Sequence, residues 1–137
     1  MANKILITDD SVSWLNFHTS LINELYGKLF EITTANCAKE ALNIIKQNDK
    51  SPFLLVLTDL QMETDFAPKL AGEWLVQNVK QINGYNVSKI IIVSSMYNIE
   101  EIAKRNEVDC ISKPMLFYNK QLMKYMFEKH MPFLEKI

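Results

Sequence analysis

Glycine is scarce in this chain: Gly27, Gly72 and Gly84 are the only three in 137 residues. None follows the first apolar run, so the glycine-rich turn whose amides cradle a nucleotide's phosphates is missing. The two cysteines, Cys37 and Cys110, have no CxxC spacing and no third or fourth partner for a metal. They read as free thiols in a reducing compartment. No apolar run is long enough to cross a bilayer, and Met1-Ala2-Asn3-Lys4 ahead of the first run is no signal peptide. A cytoplasmic protein with no membrane partner is expected. A net charge of −1 offers no basic face for nucleic acid. Repeats, low-complexity segments and linkers are also lacking. What remains, 48% hydrophobic and 23% charged, is the composition of one soluble globular domain. A chain of this length buries roughly two-thirds of its unfolded surface in a single core.

The pattern that is present alternates strand and helix. Residues 4–8 form a nearly continuous apolar run, the kind buried on both faces of a sheet. Asp10 or Ser11 can cap the next helix, with Trp14, Phe17, Leu21 and Leu25 as its stripe. A second strand is expected over 30–35. Asn36 then caps a helix carrying Ala38, Ala41, Leu42 and Ile45. Ser51-Pro52 breaks the chain before a third strand over 53–59. A third helix near 72–82 and a fourth strand over 89–94 follow. Asn98 and Glu101 fit a capping box for a short helix ending near Arg105. A fifth strand over 110–112 precedes a last helix over 119–130, which Pro132 should end. Short connections between such elements predict βαβ units and one parallel sheet with helices on both faces. His18, on the border of the first stripe, and His130 are assigned packing or surface roles.

Chemistry in open parallel sheets gathers outside the carboxyl ends of the strands. Four runs deliver polar groups there: Asp9 and Asp10 after Ile5-Leu6-Ile7-Thr8, Asp59 after Leu54-Leu55-Val56-Leu57-Thr58, Ser94 and Ser95 after Ile90-Ile91-Ile92-Val93, and Lys113-Pro114 after Cys110-Ile111-Ser112. Converging carboxylates repel; two unit charges ~4 Å apart cost about 4 kcal/mol at an effective dielectric near 20. Such a pocket raises a pKa or holds a cation. Oxygen donors suit a hard ion, and Mg²⁺ is the usual choice beside phosphate. Lys113 supplies a point charge for a phosphoryl oxygen and Ser94 a hydroxyl donor. Together these groups favour a phosphoryl group on a carboxylate, with Asp59 as nucleophile.

The motifs Ile5-Leu6-Ile7-Thr8-Asp9-Asp10-Ser11, Leu57-Thr58-Asp59-Leu60-Gln61-Met62, Ile92-Val93-Ser94-Ser95 and Lys113-Pro114 resemble the four signatures of the response-regulator receiver domain. The likeness is to a stand-alone, chemotaxis-type receiver and runs over essentially the whole chain. It implies one domain over 1–137, a flavodoxin-like, doubly wound α/β fold with five parallel strands in the order 2-1-3-4-5, and five helices. It also implies that Asp59 accepts a phosphoryl group from a histidine kinase or phosphotransfer protein. Mg²⁺ would be held by Asp10, Asp59 and the backbone carbonyl of Gln61, with Asp9 assisting through water. Ser94 and Lys113 would bond the phosphoryl oxygens. The output implied is contact with a downstream protein through the fourth helix, fifth strand and last helix, with the chain a monomer or weak dimer. No enzymatic turnover is implied beyond self-phosphorylation from small donors and autodephosphorylation.

Departures from that pattern bear on the switch. Cys110 stands where such domains place an aromatic residue three positions before the lysine. The connection over 60–71 is long, and Glu63-Thr64-Asp65-Phe66-Ala67-Pro68-Lys69 reads as an insertion able to gate the site or meet a partner. Gln61 and Met96 occupy positions that tune dephosphorylation. Met115-Leu116-Phe117-Tyr118 is apolar for a loop, and either packs on the last helix or forms an exposed patch. Trp74 points away from its helix's stripe, toward partial burial or a partner. An alternative reading is an interaction module on the same fold that works without phosphorylation. A phosphatase of haloacid-dehalogenase type would need an aspartate where Ser11 stands, and would leave Asp59 unexplained.

Overall fold

The computed structural model describes residues 3–62 and 70–137. Strands β1 (Asn3–Thr8), β2 (Phe30–Ala35), β3 (Leu55–Thr58), β4 (Ile90–Ser94) and β5 (Asp109–Ser112) pair in parallel in the order β2-β1-β3-β4-β5. The order is the one expected. The central strands β1, β3 and β4 are buried almost throughout, whereas β2 and β5 at the edges are half open. Continuous apolar runs therefore mark the middle of the sheet.

Side chains alternate between two core layers with the period of a strand. Leu6, Val56, Ile90 and Ile92 face α2 (Ala38–Gln47), α3 (Ala71–Val79) and α4 (Ile99–Arg105). Ile5, Ile7, Leu55, Leu57, Ile91 and Val93 face the opposite way, onto α1 (Val12–Tyr26) and α6 (Gln121–His130). Between β5 and α6 lies a short helix, α5 (Lys113–Tyr118), whose Leu116 is fully buried. Among the described residues six α-helices thus surround the sheet instead of the expected five. A six-residue helix shows too little periodicity to be read, and the Lys113-Pro114 pair suggests a break, although proline is well tolerated in a first helical turn.

Local differences have physical reasons. Ser11 caps α1 through a bond from the Trp14 amide to its hydroxyl at 3.3 Å, as expected. The buried face of that helix is His18, Leu21 and Ile22, however, with Trp14, Phe17 and Leu25 only half-buried. A polar histidine concealed where the stripe runs. Cys37, not Asn36, is the residue at the start of α2, and it makes no side-chain cap bond. Asn98 stands at the start of α4 without a cap bond either, because its backbone is not extended there. The last helix ends at His130, and a single 3₁₀ turn, Pro132–Lys136, follows. There the His130 ring lies between the Ser88 carbonyl (2.5 Å from Nδ1) and the Asp109 carboxylate (2.7 Å from Nε2), a packing role as expected. Trp74 is half-buried against the α2–α3–α4 layer. The insertion over 63–69 lies outside the described residues.

Candidate functional site

The ladder carries each acidic group one step past its strand. The Asp9 amide bonds the Ala35 carbonyl at 3.1 Å, and the Asp59 amide bonds the Thr8 carbonyl at 3.0 Å. Asp9 and Asp59 are thereby fixed side by side at the carboxyl end of adjacent strands β1 and β3, 1% and 8% exposed. Asp9 Oδ1 accepts the Ser11 amide at 2.9 Å, and Asp59 Oδ1 accepts the Leu60 amide at 2.7 Å. Each carboxylate keeps its other oxygen turned inward. Asp10 is half-buried beside them, and one oxygen from each of Asp9, Asp10 and Asp59 can be chosen so that all lie within 4.8 Å of one another.

Lys113 begins α5, two strands away from β3. Strand spacings of ~4.8 Å put that gap within reach of a lysine stem. Lys113 is 5% exposed, and its ammonium lies 2.7 Å from Asp9 Oδ2 and 2.9 Å from Asp59 Oδ2. Burial alone would lower the Lys113 pKa, but the Asp9 bond and the Asp59 charge outweigh it and hold the ammonium above its ordinary value. Asp9 moves upward as well: its burial, with help from the Asp59 charge, outweighs the bonds from Lys113 and Ser11. One cation, the Lys113 ammonium, thus bridges two of the three carboxylates.

The sequence thus brought Asp9, Asp10, Asp59 and Lys113 into one pocket. Ser94 is 1% exposed at the same sheet end, and its Oγ accepts the Met96 amide at 3.2 Å. Gln61 is exposed on the rim two residues past Asp59. Cys110 is half-buried against the α2–α3–α4 layer, and burial, reinforced by Glu100 and Asp109, pushes its thiol upward. It is a small packed residue at neutral pH rather than a reactive thiolate. Of the segment after Lys113-Pro114, Leu116 packs inward while Met115, Phe117 and Tyr118 are exposed, with Phe117 stacked on Phe17 at 6.0 Å. Both expectations for that segment are partly met.

Three contributors escaped the sequence reading. Gly72 lets the start of α3 lie directly on the Asp59 carbonyl. The Trp14 ring centroid is 5.0 Å from the Lys113 ammonium. His18, 2% exposed and 5.4 Å from Trp14 ring to ring, is pulled down to about 4 by burial and then by the Lys113 charge. A glycine where glycine is scarce was the available signal for Gly72; Trp14 and His18 gave none beyond an aromatic stripe.

His18 makes a measurable prediction. The ordinary histidine value is 6.5, so between 6.5 and about 4 the unfolded chain takes up a proton that the folded chain refuses. The stability that this neutral ring contributes is complete above 6.5 and lost as pH falls toward 4. That shift is worth about 3 kcal/mol. Chemical unfolding of wild type and His18→Gln should show the variant losing about 3 kcal/mol less stability than wild type between pH 6.5 and 4. Parallel losses would show that His18 takes up its proton as readily in the fold as in the unfolded chain.

No protein-family model and no curated protein matches the sequence. Solved structures do match. The response regulatory domain of mrkE from Klebsiella pneumoniae is 20% identical, with 98% of this chain and 99% of that one aligned at a TM-score of 0.75. The phosphorylated cyanobacterial phytochrome response regulator RcpA is 20% identical, with 93% of each chain aligned at 0.74. The BeF3-activated DrrB receiver domain is 17% identical over 96% of this chain and 99% of that one, at 0.71. Strand order, helix placement and these superpositions agree: over nearly its whole length the chain has the fold of a response-regulator receiver domain.

Proposed function

We propose that this protein is a phosphoacceptor: Asp59 takes a phosphoryl group from a phosphohistidine on a kinase or phosphotransfer protein, and the change alters contact with a downstream protein. The observation that carries this reading is the Lys113 ammonium seated between Asp9 and Asp59, with a third carboxylate, Asp10, at the same strand ends. In the transfer, the bond from phosphorus to the donor nitrogen breaks as a bond to an Asp59 oxygen forms. The donor ring, protonated from solvent on its other nitrogen, keeps the electron pair of the broken bond and leaves as neutral imidazole. Lys113 has only to exchange one carboxylate oxygen for a phosphoryl oxygen, and Ser94 offers a hydroxyl at the same sheet end. Turnover is not expected, since the product stays on the protein.

The donor set also fits a divalent ion. Three carboxylates within 4.8 Å are hard oxygen ligands with a net negative charge that one lysine does not cancel. Asp10, Asp59 and the Gln61 carbonyl would hold Mg²⁺, with Asp9 assisting through water. When bound, the ion supplies charge neutralisation for the transferring oxygens. Exposed Met115, Phe117 and Tyr118 beside the pocket suit contact with a protein. Among the described residues no helix is long and apolar enough to cross a membrane.

The test is intact mass after incubation with acetyl phosphate, with and without Mg²⁺. Acetate is the leaving group, and the mass should rise by one phosphoryl group only with the ion present. Asp59→Asn should show no gain while keeping its fold by circular dichroism. A gain indifferent to Asp59 would put the acceptor elsewhere. No gain in wild type would favour an interaction module that works without phosphorylation, to which the Cys110 replacement is suited.

A further inference from the structure

Lys113 is held on three sides, and only two of them are carboxylates. The third is the face of Trp14, in the first turn of α1, 5.0 Å from the ammonium to the ring centroid. That turn contains no acidic residue. The indole is braced by Phe17, edge-on at 5.1 Å, and by the buried ring of His18. We propose that Trp14 is a positioning residue for phosphoryl transfer: it keeps the Lys113 ammonium at the mouth of the pocket while its carboxylate partners are drawn into other bonds. The inference rests on Asp59 being the phosphoacceptor.

The need for such a residue follows from the contacts. In the unmodified protein the ammonium is bound to Asp9 Oδ2 and Asp59 Oδ2, the oxygens that an incoming phosphoryl group or cation would use. Lys113 must loosen from at least one of them for the reaction to proceed. A buried ammonium with nothing else nearby would resist, or would swing to solvent and be lost to the transition state. An aromatic face attracts a cation more weakly than a carboxylate does, yet costs it no competing anion. Trp14 thus offers a resting place from which the ammonium can turn to a phosphoryl oxygen. A cavity of about 240 Å³ is lined by Trp14 together with Ser13, Phe17 and Phe117.

The experiment compares wild type, Trp14→Phe and Trp14→Leu. Each is labelled with acetyl phosphate and Mg²⁺ and followed by intact mass, and thermal melting confirms that each is folded. A cation–aromatic contact of ordinary strength predicts a labelling rate about three- to tenfold lower for Trp14→Leu, with most of the rate recovered by Trp14→Phe, which keeps a ring. A structural role alone would not discriminate by ring. A second readout is the proton shift of the Lys113 side-chain methylenes in a carbon-correlated spectrum, assigned with Lys113→Arg. The ring should move these signals upfield in wild type, less in Trp14→Phe and not at all in Trp14→Leu. Should Trp14→Leu fail to fold, Trp14→Met takes its place. Wild type that labels while Trp14→Leu labels equally fast, or Lys113 signals free of any ring shift, would overturn the positioning role alone. Wild type that does not label would overturn the phosphoacceptor reading and this inference with it.

Discussion

Lys113→Met should lower the unfolding free energy by about 3–5 kcal/mol at neutral pH, with the deficit shrinking as the solution is acidified. Methionine keeps the apolar stem and removes the charge. Asp9 and Asp59, 1% and 8% exposed, then face each other without the ammonium that bridges them at 2.7 and 2.9 Å. Breaking a buried ion pair by deleting one partner costs that much because the surviving charge stays desolvated. The direction with pH follows from Asp9, which burial already raises above 3.8 despite the bond from Lys113. Losing that bond raises it further. A carboxyl whose folded pKa is raised contributes most below its unfolded value and loses that contribution as pH rises through its folded value. Relative to wild type, the variant therefore recovers as pH falls toward 3.8. Urea unfolding of both proteins at pH 7.5 and pH 5 measures it. A deficit under 1 kcal/mol that ignores pH would mean the ammonium is not what holds the acidic groups together. Magnesium chloride should raise the melting temperature of the variant more than that of wild type, because in wild type the ammonium competes for the same oxygens.

Which parts of this site were legible is explained by what determined their position. Asp9 and Asp59 sit directly after buried strands, Ser94 ends one and Lys113 follows the half-open β5, and continuous runs such as Leu55–Thr58 announce where the buried strands end. Once the sheet is parallel, strand ends share one edge, and placement follows from topology alone. Trp14 meets Lys113 across a distance that no local pattern encodes, since it depends on the rotation of α1 about its own axis. That rotation was itself misread. The stripe Trp14, Phe17, Leu21 and Leu25 is a legitimate helical repeat, yet the face that is buried includes His18 and Ile22. Hydrophobicity favours tryptophan and phenylalanine inside, but Trp14 lies beside the Lys113 ammonium and Phe17 against the exposed Phe117, where large rings are only half covered. The short helix Lys113–Tyr118 was missed for a related reason: only Leu116 and the lysine itself turn inward, so its apolar content spells no periodic face.

Gly72→Ala, the addition of one methyl group, should cost about 3 kcal/mol or more and abolish most labelling of Asp59. A β-carbon built at Gly72 lies 1.8 Å from the Asp59 carbonyl oxygen and 2.7 Å from both the Asp59 carbonyl carbon and the Leu60 α-carbon. All three are backbone atoms, so no side-chain rotation relieves the clash. Contacts of a β-carbon essentially never fall below 3.0 Å, so α3 and the end of β3 must separate by roughly 1 Å or more. Two losses follow. The bond from the Gly72 amide to the Leu60 carbonyl, 3.0 Å, is stretched in a buried place. The Asp59 side chain is also displaced from Lys113, and a misplacement of ~1 Å at a reacting group costs about a hundredfold in rate. Gly84 is the proper comparison. It has φ +93° but nothing within 4 Å of an added β-carbon, so Gly84→Ala pays only for an unfavourable backbone, about 1 kcal/mol, and leaves labelling intact. The two glycines are needed for different reasons, one for space and one for conformation, and the pair of variants separates them. Equal stability losses would show that α3 gives way easily. A Gly72→Ala protein as stable and as readily labelled as wild type would mean that the helix does not lie against Asp59 at all.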